Sequence, residues 1–415
     1  MADAQVAVLG GGIAGCLTAC LLADAGYAVV IVEAQDDLMT GASLWNDGKI
    51  HLGYTFTGTP SLATARLMQE GAAAFLPTLE RVLGGSLPAE ASADPVIYIV
   101  DRDPMVPAET LWERAQAVTA LLVEGAARSP GLARWVRPDD ARRTGRHAPL
   151  ERLTPEQAEA ETGQGSIAAA WRTVEAHLAT RVVAEAVRRA VRERGIPVVA
   201  ARIAAIEPAS GRWLAHGETG EAIGAEVIVN CTWENRAVLD RSLVPVSDPV
   251  SIRYKVALFG QGSDALRGIA PSTRILGRYG DVVRTHNGEA YLSWYPAGLL
   301  ARSDDGVPPA IPVVDSTALT DRILDGLGLP RSVVEGDGST WEVRGGYVVA
   351  HGHGDIDRPD SPLHERDRPG VRELRPGYLS VDTGKYTLGP LMALRAAAIV
   401  RERLGRPGSG ARVRA

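Results

Sequence analysis

The sequence predicts an α/β fold in which a doubly wound, mainly parallel sheet is interrupted by an antiparallel sheet. Residues 6–9 form an apolar strand that runs directly into a glycine-rich turn and then a helical pattern. A second apolar run, residues 28–32, follows that helix, which is the order of a parallel strand–helix–strand unit. Between residues 251 and 296 the pattern changes to longer strands of the kind found in antiparallel layers.

The first turn has the glycine spacing of a dinucleotide-binding motif. Gly10 permits the tight turn, Gly12 lets the backbone approach phosphates, and Gly15 allows the helix to pack closely on the strand. The helix that starts near Ile13 and Ala14 presents free amide groups and a positive dipole end to a pyrophosphate. The turn therefore predicts a bound dinucleotide, without choosing between FAD and NAD.

Glu33 ends the second apolar strand, eighteen residues after Gly15. An acid at this place accepts hydrogen bonds from ribose hydroxyls, and it repels a 2′-phosphate, so NADP is disfavoured. Ala34, the next residue, is assigned to the same cofactor site.

The rest of the chain is predicted to contain a glycine-punctuated loop, at residues 41–54, and further helices and strands. Helical spacing is found at residues 61–82, 179–194, 316–327 and 389–404, and a capping box starts a short helix at Thr154. Strands are predicted at 95–100, 198–206, 225–229, 252–260, 290–295 and 377–382, with a turn at 286–288. The glycine-rich, basic end, residues 405–415, is expected to be a loose tail.

Composition excludes several classes of protein. The 415 residues are 45% hydrophobic, which is enough for two domains with buried cores, and the net charge of −6 gives no footprint for nucleic acid. Cys16, Cys20 and Cys231 are too few and too badly spaced for a disulfide framework or a zinc site. No stretch has the length of a membrane span or a signal peptide, so a cytoplasmic location is expected.

Lysines are rare in this chain. Of 44 basic residues only Lys49, Lys255 and Lys385 are lysines. Arginine cannot replace lysine where a compact ammonium is needed, so these three are candidates for functional roles, with a structural ion pair as the alternative for each.

His351 and His353 alternate on an extended segment, which brings their side chains to one side. A third ligand at a suitable spacing is missing, so the segment is interpreted as a loop with solvated histidines and no metal site is predicted.

The order of these motifs resembles the D-amino-acid oxidase and sarcosine oxidase superfamily of FAD enzymes over essentially the whole chain. The resemblance rests on the N-terminal glycine motif with Glu33, the loop at 41–50, the helix at 175–194 entering a strand, the strand end at 227–233, and the C-terminal strand, glycine and helix. It implies a Rossmann-type FAD-binding domain of the glutathione-reductase type with an inserted antiparallel-sheet substrate domain. Altered family signatures at 231–234 and 341–346 indicate a divergent member.

The resemblance also implies the domain boundaries. The FAD-binding domain is expected to comprise residues 1–85, 150–250 and 340–404, and the substrate domain residues 86–149 and 251–339.

Further cofactor contacts are carried over from the family. They are Ser43, Asn46 and Lys49 in the loop beside the flavin ring, Ile203 near the adenine, and Gly384, Lys385, Tyr386 and Thr387 before the last helix. The flavin is expected to be noncovalent because the C-terminal cysteine that tethers it in sarcosine oxidases is missing, with a link to His51 as the alternative.

The catalytic candidates are Lys49, Lys385 and Tyr386. A cation or helix N-terminus near the flavin stabilises its reduced form, which suits Lys385, and Lys49 is predicted to lie near the reactive nitrogen. The substrate-binding candidates are His51, Arg253, Tyr254, Trp294, Arg344 and Tyr347. An arginine fits a substrate carboxylate by its two-pronged geometry, and Arg344 is preferred over Arg253 because the family arginine after the tryptophan often faces the pocket.

The sequence thus predicts an FAD-dependent oxidoreductase that transfers a hydride from a C–N bond of a small amine or amino acid to flavin, with O2 as the acceptor. The alternatives are an FAD-dependent 2-hydroxy-acid dehydrogenase, a flavin monooxygenase and a noncatalytic flavin-binding protein. A plain NAD dehydrogenase is disfavoured because no second mononucleotide half follows the first.

Overall fold

The computed structural model describes residues 2–136, 148–245, 249–336 and 340–406, which contain two large β-sheets with helices packed against them. The strands in chain order are β1 (Ala2–Leu9), β2 (Val29–Glu33), β3 (Lys49–Ile50), β4 (Ile97–Asp101), β5 (Leu150–Leu153), β6 (Ile167–Thr173), β7 (Ala176–His177), β8 (Val198–Ala200), β9 (Ile203–Ala209), β10 (Arg212–Gly217), β11 (Ala222–Asn230), β12 (Val250–Gln261), β13 (Ser272–Arg274), β14 (Gly280–Arg284), β15 (Glu289–Trp294), β16 (Leu299–Ser303), β17 (Thr340–His351), β18 (Gly370–Arg375) and β19 (Tyr378–Asp382). The helices are α1 (Ile13–Asp24), α2 (Ala63–Leu83), α3 (Ala108–Arg128), α4 (Pro130–Val136), α5 (Pro155–Thr162), α6 (Thr180–Glu193), α7 (Arg236–Leu243), α8 (Tyr295–Gly298), α9 (Ser316–Leu327) and α10 (Gly389–Leu404). Most of the predicted tail, from residue 407 onward, lies outside the described residues.

The first sheet is the predicted doubly wound layer, with strand order β18-β19-β11-β1-β2-β8. Strands β19, β11, β1, β2 and β8 are parallel, and β18 is antiparallel at the edge. The side chains of Val6, Ala7, Val8 and Leu9 are completely buried, because β1 is central and covered on both faces. Helices α1, α6 and α10 contribute to the core on one face, and α7 with β9 and β10 covers the other. The α/β fold class is confirmed.

The second sheet has the order β16-β12-β15-β14-β13-β4-β6-β5, and β17 pairs with β12 along its whole length. It is antiparallel except for the parallel pair β4–β13. Alternate residues of β12 and β15, among them Val256, Leu258 and Leu292, pack with Ile323 and Leu327 of α9 into a separate core. The opposite set of side chains faces the first sheet, and it is this set that lines the cavity described below.

Several parts of the fold differ from the predictions. The strand predicted at 198–206 is two strands, because β8 ends at the sheet edge and β9 starts an antiparallel meander with β10. Strands β5, β6 and β17 pair within the antiparallel sheet, so the boundaries predicted at 150 and 340 do not coincide with the sheet boundaries. Helix α3 was not predicted, although its buried residues Leu111, Ala115, Val118 and Leu122 have helical spacing.

The glycine motif makes two close approaches that a side chain would prevent. Gly10 has φ +96°, and a Cβ on it would lie 2.6 Å from the carbonyl oxygen of Cys231. A Cβ on Gly15 would lie 1.9 Å from the carbonyl oxygen of Gly10. The turn and the packing of α1 on β1 therefore both require glycine, as the sequence predicted.

Asp240 of α7 links the two neighbouring parallel strands β11 and β19. Its buried carboxylate accepts hydrogen bonds from Asn230 of β11, from Tyr378 and Ser380 of β19, and from Arg236. The backbone segments that follow β11 and β19 both border the cavity, so this carboxylate fixes the positions of two cavity walls.

We expect Asp240→Ala to lower the free energy of unfolding by about 3–5 kcal/mol, because it removes one of the two carboxylates paired with the Arg236 guanidinium and the acceptor shared by three other buried donors. Urea unfolding followed by circular dichroism measures the loss. Glu124→Ala breaks an exposed helical pair with Arg128 and serves as the control, with an expected loss below about 1 kcal/mol. Equal losses in the two variants would contradict this account.

Candidate active site

A cavity of about 590 Å³ lies between the two large sheets. One part of its wall comes from the glycine turn, the end of β2, the loop after β2 and the start of β9. The other part comes from β12, β13, β14 and β15, from β17 and the segment after it, and from the segment between β19 and α10. Among the predicted site residues, those in the wall are Gly10, Gly12, Ile13, Ala14, Glu33, Ala34, Ser43, Asn46, Lys49, His51, Ile203, Arg253, Arg344, Tyr347, Gly384, Lys385 and Tyr386. Gly15, Tyr254, Trp294 and Thr387 do not line it.

The glycine turn and the loop after β2 meet at the start of α1. The Ile13 amide donates a hydrogen bond to the Ser43 hydroxyl at 2.9 Å, and the Gly11 amide donates to the Glu33 carboxylate at 2.5 Å. The side chain of Asn46 holds the loop itself, donating to the carbonyls of Ala42 and Ser43. This end of the cavity thus combines a helix N-terminus with an acid at the end of the second strand, which is the arrangement that binds a dinucleotide.

A second acid, Glu234, lies near Glu33 and was not predicted. Glu234 follows β11 in a 3₁₀ turn. In this turn Trp233 has φ +52°, and the indole of Trp233 donates a hydrogen bond to the carbonyl oxygen of Tyr347. Burial raises the pKa of Glu234 to about 7, and the charge of Glu33 contributes to the rise. The sequence could have indicated this acid, because Glu234 lies within the altered family signature at 231–234.

Lys49 is held in ion pairs. Its ammonium, 1% exposed, lies 3.1 Å from Asp281 and 3.6 Å from Asp47, and it also donates to Thr273. Burial opposes the charged form, but the two carboxylates outweigh it and raise the pKa of Lys49. The geometry matches the structural alternative for this lysine.

His51 belongs to a second buried group of polar side chains. Its Nδ1 lies 3.7 Å from the fully buried carboxylate of Glu175, which also accepts hydrogen bonds from the Tyr98 hydroxyl and the Leu52 amide. Burial lowers the pKa of His51, so the ring is neutral at pH 7. Glu175 was not predicted as part of the site, because a single acid before a helix carries no distinctive pattern.

The segment before α10 brings Lys385 and Tyr386 to the cavity wall. Gly384 turns the chain with φ +58°, and Lys385 follows it with its ammonium 5.7 Å from the centre of the Phe56 ring. Burial, and then the charge of Arg366, lower the pKa of Lys385 to about 7. The buried Tyr386 hydroxyl has no hydrogen-bond partner in the described part of the chain, whereas Thr387 is bonded to the backbone of His51 and Lys49.

Arg253 and Arg366 lie in the same region of the wall. Arg253, 3% exposed, donates from one Nη to the Tyr295 hydroxyl at 2.9 Å, and its Nε has no partner among the described residues. Arg366, 6% exposed, donates to the carbonyl oxygen of Val349. Burial, and then the charge of Arg253, lower the pKa of Arg366 to about 9. The sequence analysis did not predict Arg366, because it stands in an irregular segment without the helical or strand spacing that would indicate which way its side chain faces.

The strand residues proposed for the substrate need correction. Tyr254 and Trp294 point to the opposite face of their strands, where Trp294 packs in the core beneath α9 and Tyr254 packs against Tyr347. Adjacent strand residues face opposite sides, so only one of Arg253 and Tyr254 could reach the cavity. The preference for Arg344 is reversed, because its side chain is 55% exposed and paired with Glu342, whereas Arg253 is buried.

The histidine segment also differs from the prediction. His351 ends β17, where its Nε2 lies 2.7 Å from the Asp382 carboxylate, so it is not a solvated loop residue. His353 is exposed. Within the four described ranges, no group of three or more His, Cys, Asp or Glu side chains could hold a metal ion. In the same ranges, no helix is both long and apolar enough to cross a membrane.

The sequence model of the DAO family, described as FAD dependent oxidoreductase, matches residues 5–354. The chain belongs to this family of FAD-dependent oxidoreductases. No curated protein is significantly similar to the enzyme in sequence.

Solved structures share the fold of this FAD-dependent oxidoreductase. Glycine oxidase from Geobacillus kaustophilus has a TM-score of 0.66 and 16% identity over 97% of this chain and 96% of that chain. Iminodiacetate oxidase from Chelativorans sp. BNC1 has a TM-score of 0.66 and 17% identity over 98% and 96%. L-α-glycerophosphate oxidase from Mycoplasma pneumoniae, whose structure has FAD bound, has a TM-score of 0.64 and 12% identity over 97% and 95%. At these identities the likeness is one of fold.

The cavity of the enzyme fits FAD. A Cβ on Gly12 would lie 3.0 Å from the Ser43 hydroxyl, so a side chain there would narrow the cleft between the glycine turn and the loop. The Glu33 carboxylate suits the ribose, and Tyr386 lines another part of the cavity wall.

We expect Glu33→Gln to weaken FAD binding about tenfold, which is about 1.4 kcal/mol, because the neutral amide replaces a charged acceptor of the same shape. The dissociation constant is measured by titrating the apoprotein into FAD and following the loss of flavin fluorescence. Glu185→Gln, a change on the exposed face of α6, is the matched control and leaves the constant unchanged. An unchanged constant in Glu33→Gln would remove Glu33 from the cofactor site.

Lys385 predicts a pH dependence for anion binding. The pKa of about 7 means that the side chain is charged below pH 7 and neutral above it. Acetate and propionate should therefore bind more weakly as the pH rises, by about tenfold per unit above pH 7, until the pKa in the complex is reached. The flavin visible spectrum reports the binding. Lys385→Met should bind the same anions with little dependence on pH between 7 and 9, and a wild-type profile in this variant would exclude Lys385 as the titrating group.

Proposed function

We propose that the enzyme oxidises a C–N bond of a small amine or amino acid, transferring a hydride to noncovalently bound FAD that is then reoxidised by O2. The observation that carries the proposal is the guanidinium of Arg253, which is buried at the cavity wall without an acid partner among the described residues. A substrate carboxylate would pair with it through two parallel hydrogen bonds.

The residues around Arg253 would orient such a substrate. The Tyr295 hydroxyl already accepts a hydrogen bond from Arg253, so its own proton is free to be donated to a carboxylate oxygen. The Tyr279 hydroxyl lies in the same wall, and burial raises its pKa, which keeps it protonated as a donor. These groups would fix one end of the substrate and leave its amino-bearing carbon to face the cofactor space.

Oxidation of an amine removes a hydride from carbon and a proton from nitrogen, and it leaves an imine that water hydrolyses. When bound, FAD supplies the hydride acceptor. The substrate nitrogen must be unprotonated for the hydride to leave, so a nearby group has to exchange a proton near neutral pH. Lys385 suits that exchange, since its pKa is lowered to about 7.

The names of similar structures support a nitrogen-containing substrate. They include glycine oxidase, iminodiacetate oxidase and L-amino acid deaminase from Proteus myxofaciens. The similar L-α-glycerophosphate oxidase supports oxidation of a C–OH bond as the second candidate.

The test is the visible spectrum of the purified holoenzyme, followed without oxygen while amines, amino acids and hydroxy acids are added. We expect amines or amino acids to bleach the flavin, and admission of air to restore the colour. Bleaching by hydroxy acids alone would replace the proposal with its second candidate. Bleaching that air does not reverse would overturn O2 as the acceptor.

A further inference from the structure

Three positive side chains meet at the cavity wall without carboxylate partners. They are Arg253, Arg366 and Lys385, named here the cation cluster. Arg253 and Arg366 are 3% and 6% exposed, and within the described ranges none of the three forms a salt bridge. The bonds made by the two guanidiniums are to neutral groups, the Tyr295 hydroxyl and the Val349 carbonyl.

The other cations of the cavity wall show that this is unusual. Lys49 is paired with Asp281 and Asp47, and Lys255 lies 3.8 Å from Asp281. Arg274, also buried, is paired with Asp101. A buried charge without a counter-charge is unfavourable, so proteins normally pair such groups as these three are paired.

Nearby acids do not neutralise the cluster. Asp382, whose charge acts on Arg366, is already held by Arg236 and His351. Asp357, whose pKa is raised by burial and lowered to a smaller extent by the charge of Arg253, is exposed and forms no salt bridge with Arg253 among the described residues. Asp47, whose charge acts on Lys385, is already paired with Lys49. The positive charges therefore face the cavity with their Coulomb energy available to a ligand.

The charge of the cluster exceeds what an ordinary amino acid can match. A zwitterion with one carboxylate carries no net charge and offers one anionic group, which satisfies one guanidinium. The second guanidinium is equally buried and equally directed at the cavity wall. A ligand with two carboxylates could pair with both arginines.

We propose that the substrate is an amino or imino acid with two carboxylate groups, one held by Arg253 and the other by Arg366. The assignment of the reacting C–N bond rests on the proposed function, but the requirement for two carboxylates does not. Oxidation of such a substrate balances as before: carbon loses a hydride, nitrogen loses a proton, and one carbon–nitrogen double bond forms.

The first experiment measures binding of unreactive acids to the holoenzyme through the flavin visible spectrum. Malonate, succinate and glutarate are compared with acetate, propionate and butyrate. We expect the best dicarboxylate to bind at least tenfold more tightly than any monocarboxylate. Equal affinities in the two series would overturn the proposal.

Variants assign each carboxylate to its arginine. Arg366→Gln keeps a donor for the Val349 carbonyl but removes the charge, so it should abolish the dicarboxylate advantage and change monocarboxylate binding less than about twofold. Arg366→Lys keeps the charge and should retain part of the advantage. Arg128→Met, an exposed change in α3, is the control. A uniform weakening of both series by Arg366→Gln would overturn the assignment.

A second experiment separates this inference from the proposed function. The oxygen-free holoenzyme is mixed with aspartate, glutamate and iminodiacetate, with alanine, glycine and sarcosine, and with the hydroxy acid malate. Bleaching by the first group only supports both proposals, and bleaching by the second group only overturns the two-carboxylate substrate while keeping amine oxidation. Tight dicarboxylate binding with bleaching by malate alone would overturn amine oxidation and keep the two-carboxylate site.

Discussion

Lys49 and Asp281 form an ion pair where the loop that follows the first βαβ unit meets the antiparallel sheet. The ammonium is almost completely buried, so its charge is tolerable only while both Asp281 and Asp47 remain in contact. Lys49 lies in β3, directly after the loop that carries Ser43 and Asn46, and Asp281 lies in β14. The pair therefore sets how the cofactor side of the cavity is placed against the substrate side, and the cavity exists because these two parts are held at that separation.

The period of each strand decides which side chains reach the cavity. Along β12, Arg253, Lys255, Ala257 and Phe259 face it, while Val256 and Leu258 enter the core beneath α9. The glycine turn, Glu33 and the last strand and helix were predictable because each has a local pattern with one physical explanation. The two-residue period of a strand could also have shown that Arg253 and Tyr254 cannot both reach the cavity. Arg366 and Glu234 stand in irregular segments, where only the folded chain shows what they face.

The cavity carries opposite charges at its two ends. Glu33 and Glu234 stand close enough that the charge of one raises the pKa of the other, and they border the glycine turn. The cation cluster occupies the wall formed by β12 and the segments before β18 and α10. Such a gradient favours hydroxyl donors at one end and anions at the other, so the ribose hydroxyls of a dinucleotide and the carboxylates of an acidic substrate suit different ends of the cavity.

The three lysines of the chain all lie in the wall of this one cavity, and every other basic side chain among its 44 lysines and arginines is an arginine. Reagents that acylate or reductively methylate amines do not modify guanidinium groups, and they react with unprotonated amines. In most proteins such reagents modify lysines on the surface. In this one the side-chain amines that they can reach line the site, with Lys385 the most easily deprotonated of those whose pKa departs from the ordinary value. Apart from the label on the α-amino group of the chain, isotope-labelled methyl groups attached in this way would thus act as spectroscopic reporters of the cavity wall.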